Sequence, residues 1–286
     1  MRRKEPRRVG PLLTTVAVAV VAAVAVSLPA WPAAERAKLD TAIWFNLSAA
    51  ALQGAQDAHE ELQRELARTG GRPDAAARAA LDESVALNTR AADDLARVLA
   101  LDPGFFVARV QRAVALHRRG VSLASAGVLE PALASYEEAR RELAAARASG
   151  GGRDLPEVES QARELAATVD AGLAQVLVNL GGKLIEAGDL VRAEAALRRA
   201  VVIAPRSAPA HGNLGLCLLR QALRARKAGD ETAAARLLAA SRDAFSQALE
   251  LAGPQARPGE AAFYRKGLEM AGEPSPPAGS AGTLTP

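Results

Sequence analysis

The sequence predicts an all-α protein built from helical hairpins, and three observations carry that prediction. Of 286 residues, 49% are hydrophobic but only 3% aromatic, so the apolar mass comes from Ala, Leu and Val, a composition that favours helix. From Ala33 to Gly272 no run alternates apolar and polar residues between turn signals, so no strand is predicted. Gly and Pro breaks punctuate the same span at Thr69-Gly70-Gly71-Arg72-Pro73, Asp102-Pro103-Gly104, Ala126-Gly127, Ser149 to Pro156, Ala187-Gly188-Asp189, Ala204-Pro205, Ala228-Gly229-Asp230 and Gly253-Pro254.

The formal charge of +4 comes from the first eight residues, where Arg2, Arg3, Lys4, Arg7 and Arg8 face only Glu5. The remainder balances to zero, so a pI near 9.6 does not describe a basic surface, and nucleic acid is set aside as a partner. Cys217 is the single cysteine, and His59, His117 and His211 have no companion cysteines, which excludes a disulfide scaffold and a structural zinc module. Between Arg8 and Glu35 there is no charge, and Leu12 to Leu28 reads LLTTVAVAVVAAVAVSL. That run of about 17 residues is at the short end of what crosses a bilayer as a helix. With the basic cluster before it and Trp31 after it, the amino terminus is placed in the cytoplasm and the remainder outside. Two outcomes stay open: an uncleaved single-pass anchor, which the length of the run favours, or a signal peptide cut after Ala25-Val26-Ser27.

Evenly broken helices call for a search for internal repeats. Asn179-Leu180-Gly181, Leu184, the turn Gly188-Asp189, Ala193, Leu197, Ala200 and Pro205 form one ordered set of landmarks. A second set opens with Asn213-Leu214-Gly215 and Leu218 and closes with Phe245, Ala248 and, one residue late, Pro254. Its middle is about four helical turns longer, an excess that keeps two antiparallel helices in step if it is divided around Ala228-Gly229-Asp230. Gly120, Leu123, Gly127, Ala132, Tyr136 and Ala139 follow the same order upstream, with Pro131 tolerated in a first helical turn. The order of leucine-glycine, turn, alanine, large apolar residue, alanine and proline resembles the tetratricopeptide repeat of about 34 residues. The resemblance covers roughly Phe105 to Pro254, with stretched helices and missing landmarks as its departures.

The packing reason is independent of the family. Gly120, Gly181 and Gly215, with Ala132, Ala139, Ala193 and Ala200, are small where two helices approach most closely. A hairpin cannot hide both apolar faces alone, so neighbours stack into a curved solenoid whose concave face is made of first helices. The expected organisation is a basic cytoplasmic segment at 1–10, a transmembrane anchor at 11–32 and a long helical hairpin at 33–103. Tetratricopeptide-like repeats then fill 104–272, ending in a capping helix from Gly259, and a Pro, Gly and Ser tail occupies 273–286.

No catalytic constellation assembles, so the expectation is a protein that is not an enzyme and holds no cofactor or metal. Leu180-Gly181-Gly182-Lys183 lacks the upstream glycine of a phosphate loop and has Leu184 where Ser or Thr is required. His211 reads as a satisfied side chain and Cys217, among Leu216, Leu218 and Leu219, as a buried inert thiol. Glu60-Glu61 and Glu137-Glu138 read as solvated faces among arginines. Asn179 and Asn213 occupy one position of successive repeats, and the resemblance implies that this position points into the groove. Two amides one repeat apart could read the backbone of an extended peptide, or could simply bridge adjacent helices. The upstream equivalent is Arg118, beside His117. The expected function is therefore a membrane-tethered scaffold binding a protein or peptide in its groove, with a homo-oligomer of stacked arrays as the alternative. Arginine in excess of lysine and abundant alanine suit a GC-rich bacterium, with the repeats in the periplasm or outside the cell.

Overall fold

The computed structural model describes residues 33–253 and 258–272, and among them all regular structure is helical. The helices are α1 (Ala33–Arg68), α2 (Ala75–Leu101), α3 (Phe106–Ser125), α4 (Leu129–Ser149), α5 (Pro156–Ala187), α6 (Leu190–Ile203), α7 (Ala208–Lys227), α8 (Glu231–Ala252) and α9 (Pro258–Gly272). Each of the eight breaks read from the sequence separates two of them. The expected membrane anchor at 11–32, the basic segment before it and the tail at 273–286 lie outside the described residues. Among the described residues one helix, α5, is long and apolar enough to cross a membrane. Its Val169, Leu173, Val176, Leu177 and Ile185 are buried within the protein, which makes it a core helix here.

Three turns share one construction. Gly127, Gly188 and Gly229 have φ of 76°, 80° and 82°, a left-handed conformation that costs glycine nothing. In each, the residue after the glycine donates to a carbonyl five residues back: Val128 to Leu123, Asp189 to Leu184 and Asp230 to Ala225. This closes the preceding helix by satisfying its last carbonyls. Asp189 and Asp230 then cap the helix that follows, accepting from the Arg192 and Ala233 amides at 3.2 and 2.9 Å.

The chain forms two compact units. Among the described residues, one comprises 33–116 and 142–159, the other 117–141, 160–253 and 258–272. In the first unit α1 and α2 make a long antiparallel hairpin. Leu62, Leu66, Ala77 and Ala80 pack near its tip. Leu95, Val98 and Ala108 pack at the other end with Phe45 and Phe105, whose rings stack at 5.5 Å. Arg109 and Arg112 both pair with Glu142.

In the second unit large apolar residues are seated on glycines. A Cβ on Gly120 or Gly172 would lie 3.0 or 2.5 Å from the Tyr136 ring, so α4 presents that ring to glycines of both α3 and α5. Phe245 of α8 is held in the same way between Gly215 of α7 and Gly267 of α9, and Leu197 of α6 meets Gly181 of α5. The spacing repeats: Gly127 follows Gly120 by seven residues and precedes Tyr136 by nine, and Gly188 stands in the same relation to Gly181 and Leu197. In the stretched hairpin those separations are fourteen and sixteen, so two extra turns have entered each of α7 and α8 and the contact between Gly215 and Phe245 stays in register. These are tetratricopeptide-like hairpins with Ala132, Ala139, Ala193 and Ala200 fully buried.

Candidate functional site

The first-helix faces of the second unit take their direction from the glycines. Successive residues turn about 100° around a helix, so a residue two places before a glycine that faces its second helix points roughly away from that helix. Asn179, Asn213 and Arg118 each stand two places before such a glycine. Asn179 is exposed, and its Oδ1 accepts from Gln175 Nε2 at 2.9 Å on the same helix. Asn213 and Arg118 are half-buried. Burial disfavours the charged form of Arg118 and lowers its pKa.

His117, expected beside the groove, is turned into the packing instead. Its ring meets Tyr136 edge-on at 5.5 Å, and its buried Nδ1 has no hydrogen-bond partner. Burial first, then the neighbouring Arg118, lowers its pKa and keeps it neutral. The cause is that Tyr136 fills the space between two glycines and meets the residue three places before Gly120.

The carboxylates read as a solvated face do more than that. Glu137 pairs with Arg199 and Glu138 with Arg119, tying α4 to α6 and to α3. Residues of α7 also strap down the turn between α5 and α6. Cys217 Sγ donates to Leu190 O at 3.3 Å, Arg220 to Ile185 O at 2.9 Å, Gln221 to Leu190 O at 3.2 Å and Arg224 to Gly188 O at 3.0 Å. One hairpin earlier, Lys183 donates to Gly127 O at 3.0 Å. Cations at a helix C-terminus complement its dipole, so these bonds fasten the end of one hairpin to the first helix of the next. Burial pushes the Cys217 thiol up to about 11, which removes it as a nucleophile at neutral pH. His211 Nε2 is 2.9 Å from Pro205 O.

The first unit contains a feature with no signal in the repeat pattern: an open trough of about 660 Å³ between α1 and α2. Trp44 and Leu47 of α1 face Ala86, Thr89 and Asp93 of α2 across it. The Arg97 guanidinium lies 4.2 Å over the Trp44 ring and donates to Asp94 Oδ1 at 3.2 Å. Asp94 has a side chain only 4% exposed, and burial raises its pKa although Arg90 and Arg97 stand beside it. The period of Ala86, Thr89, Arg90, Asp93 and Arg97 on one helix face was available in the sequence, but Trp44 is far upstream and nothing pairs the two.

No family model matches the sequence, and no curated protein matches it. Among solved structures, a TPR repeats protein from Bacteroides fragilis is 17% identical, with 76% of this chain and 98% of that one covered at a TM-score of 0.32. MamA is 15% identical, with 70% and 93% covered at a TM-score of 0.25. A monomeric mutant of IFIT1 solved with Gppp-AAAA is 17% identical, with 68% of this chain covered at a TM-score of 0.31. The chain spans 47% of that IFIT1 chain.

Proposed function

We propose that this chain is a non-catalytic scaffold, tethered by residues 11–32 to a bacterial membrane, that binds a protein or peptide on the first-helix face of its repeats. In this reading the amino terminus is cytoplasmic and the helical hairpins lie on the periplasmic or outer side. The observation that carries the reading is the equivalence of Asn179 and Asn213: each stands two residues before a glycine seated on its second helix. Primary amides supply a donor and an acceptor to a peptide backbone without selecting its side chains.

The test is capture from membranes by the intact chain, followed by affinity measurement with the partner recovered. Asn179→Ala with Asn213→Ala is expected to weaken binding by about 1 kcal/mol per lost hydrogen bond, about fivefold each, with helicity unchanged. Wild-type affinity in the double variant defeats the groove assignment.

A second reading is self-association at the membrane. Val191 and Val202 are each 80% exposed and stand eleven residues apart, three turns along the outer face of α6. Valine is a poor helix former that nothing local repays at such positions. Light scattering of the chain across a wide concentration range decides between the two, because a strictly monomeric protein removes self-assembly.

A further inference from the structure

The trough between α1 and α2 selects a ligand by what its floor lacks. Asp94 Oδ1 is taken by Arg97, while the buried Oδ2 accepts no hydrogen bond, with Arg90 Nε 3.9 Å away. A buried acceptor left without a donor is costly, so a ligand that supplies one is favoured there. The wall beside it is apolar, formed by Trp44, Leu47 and Ala86. Charge decides which donor fits. Arg90 and Arg97 balance Asp93 and Asp94 around the trough, so a charged ligand of either sign loses its hydration there without a net opposite charge to repay the loss. An uncharged donor avoids that cost.

We propose that this trough binds an uncharged peptide segment of a protein partner, with an aliphatic side chain laid on Trp44, Leu47 and Ala86 and a backbone N–H donated to Asp94 Oδ2. The Arg90 side chain, 54% exposed, moves aside as the amide enters and donates to its carbonyl. Trp and Arg together at the centre of a concave site match the residue types that dominate binding energy at protein interfaces. The site is separate from the asparagines of the second unit and stands without them.

The test uses the full chain carrying Trp31→Phe, so that Trp44 is the sole indole, and three small probes: N-acetyl-leucinamide, N-acetyl-leucine as its carboxylate, and N-acetyl-argininamide. Trp44 emission is expected to change saturably with N-acetyl-leucinamide, and both charged probes to bind about tenfold more weakly or worse. Ala86→Leu adds bulk to the trough from an exposed helical position and is expected to weaken the neutral amide about tenfold with an unchanged melting curve. If that variant melts early, Leu47→Ala, which removes wall without adding bulk, carries the same expected loss. The proposal is overturned by a missing saturable response to the neutral amide, by a charged probe binding equally well or better, or by wild-type affinity in the variant that keeps its melting curve.

Discussion

Gly267 of α9 lies so close to the Phe245 ring that a Cβ there would stand 2.4 Å from Phe245 Cζ. The last helix is seated on α8 only because position 267 carries no side chain. Phe245 is fully buried, and Gly215 presses on its other side, so the ring has little room to retreat. Gly267→Ala is expected to destabilise the second unit by about 1–3 kcal/mol through overpacking, despite alanine's better helix propensity. Hydrogen exchange should show the loss first in α9; protection there equal to wild type would mean that the ring can move.

Neighbouring glycines in α5 give a sharper contrast. A Cβ on Gly181 would lie 2.5 Å from Leu197 Cγ, while one on Gly182 would meet nothing within 4 Å. Gly182→Ala is expected to stabilise by about 0.5–1 kcal/mol, the usual gain for a helix interior. Gly181→Ala should cost about 1–3 kcal/mol by forcing α6 outward. Urea melts of the two variants should therefore shift in opposite directions, and shifts of the same sign would contradict the seating of Leu197 on Gly181.

Both results bear on what was legible in the sequence. The eight breaks were readable because a left-handed glycine such as Gly188, or a capping Asp189, acts within a few residues of itself. The pairing of Gly181 with Leu197 and of Gly215 with Phe245 was readable because the repeat order sets the two sides of one hairpin at a known separation. Gly172 and Gly267 were not, since each serves a ring on the preceding hairpin and no landmark marks that second contact. The contact of His117 with Tyr136 was hidden for the same reason, because it depends on how that ring fills the gap to Gly172. The trough at Trp44 was hidden because Trp44 of α1 stands some forty to fifty residues before its partners on α2 and no landmark pairs the two.

The strap across the turn between α5 and α6 offers a test of how hairpins are joined. Gln221 Nε2 donates to Glu194 Oε2 at 2.7 Å as well as to Leu190 O. Gln221→Ala leaves a partly buried carboxylate short of a donor and is expected to cost about 1–3 kcal/mol. A double-mutant cycle with Glu194→Ala should return a coupling of about 0.5 kcal/mol or more. Strict additivity would show that the contact does not hold the hairpins together.

Cys217 supplies a reactivity test. The thiol is fully buried, and a value near 11 leaves little thiolate at pH 8. Alkylation by iodoacetamide in native buffer is expected to run on the order of 100-fold slower than for an ordinary exposed cysteine. Urea should restore the normal rate. Fast labelling of the native chain would mean that α7 opens from the turn it straps.

The pH dependence of stability follows from His117. Its folded pKa is lowered, by burial first and then by Arg118, so the unfolded chain binds the proton more readily. Stability from this group is therefore intact above the ordinary imidazole value of about 6.5 and declines as pH falls through it. Below the depressed folded value the slope vanishes, because both states are then protonated. Charging the ring also puts a cation beside Arg118, with the buried Nδ1 offering a donor that finds no acceptor. His117→Gln removes the titration while keeping a polar side chain of similar length. Thermal melts between pH 7.5 and 5 should show the wild-type midpoint falling faster than that of the variant. Parallel curves would mean that the ring reaches water before it is protonated.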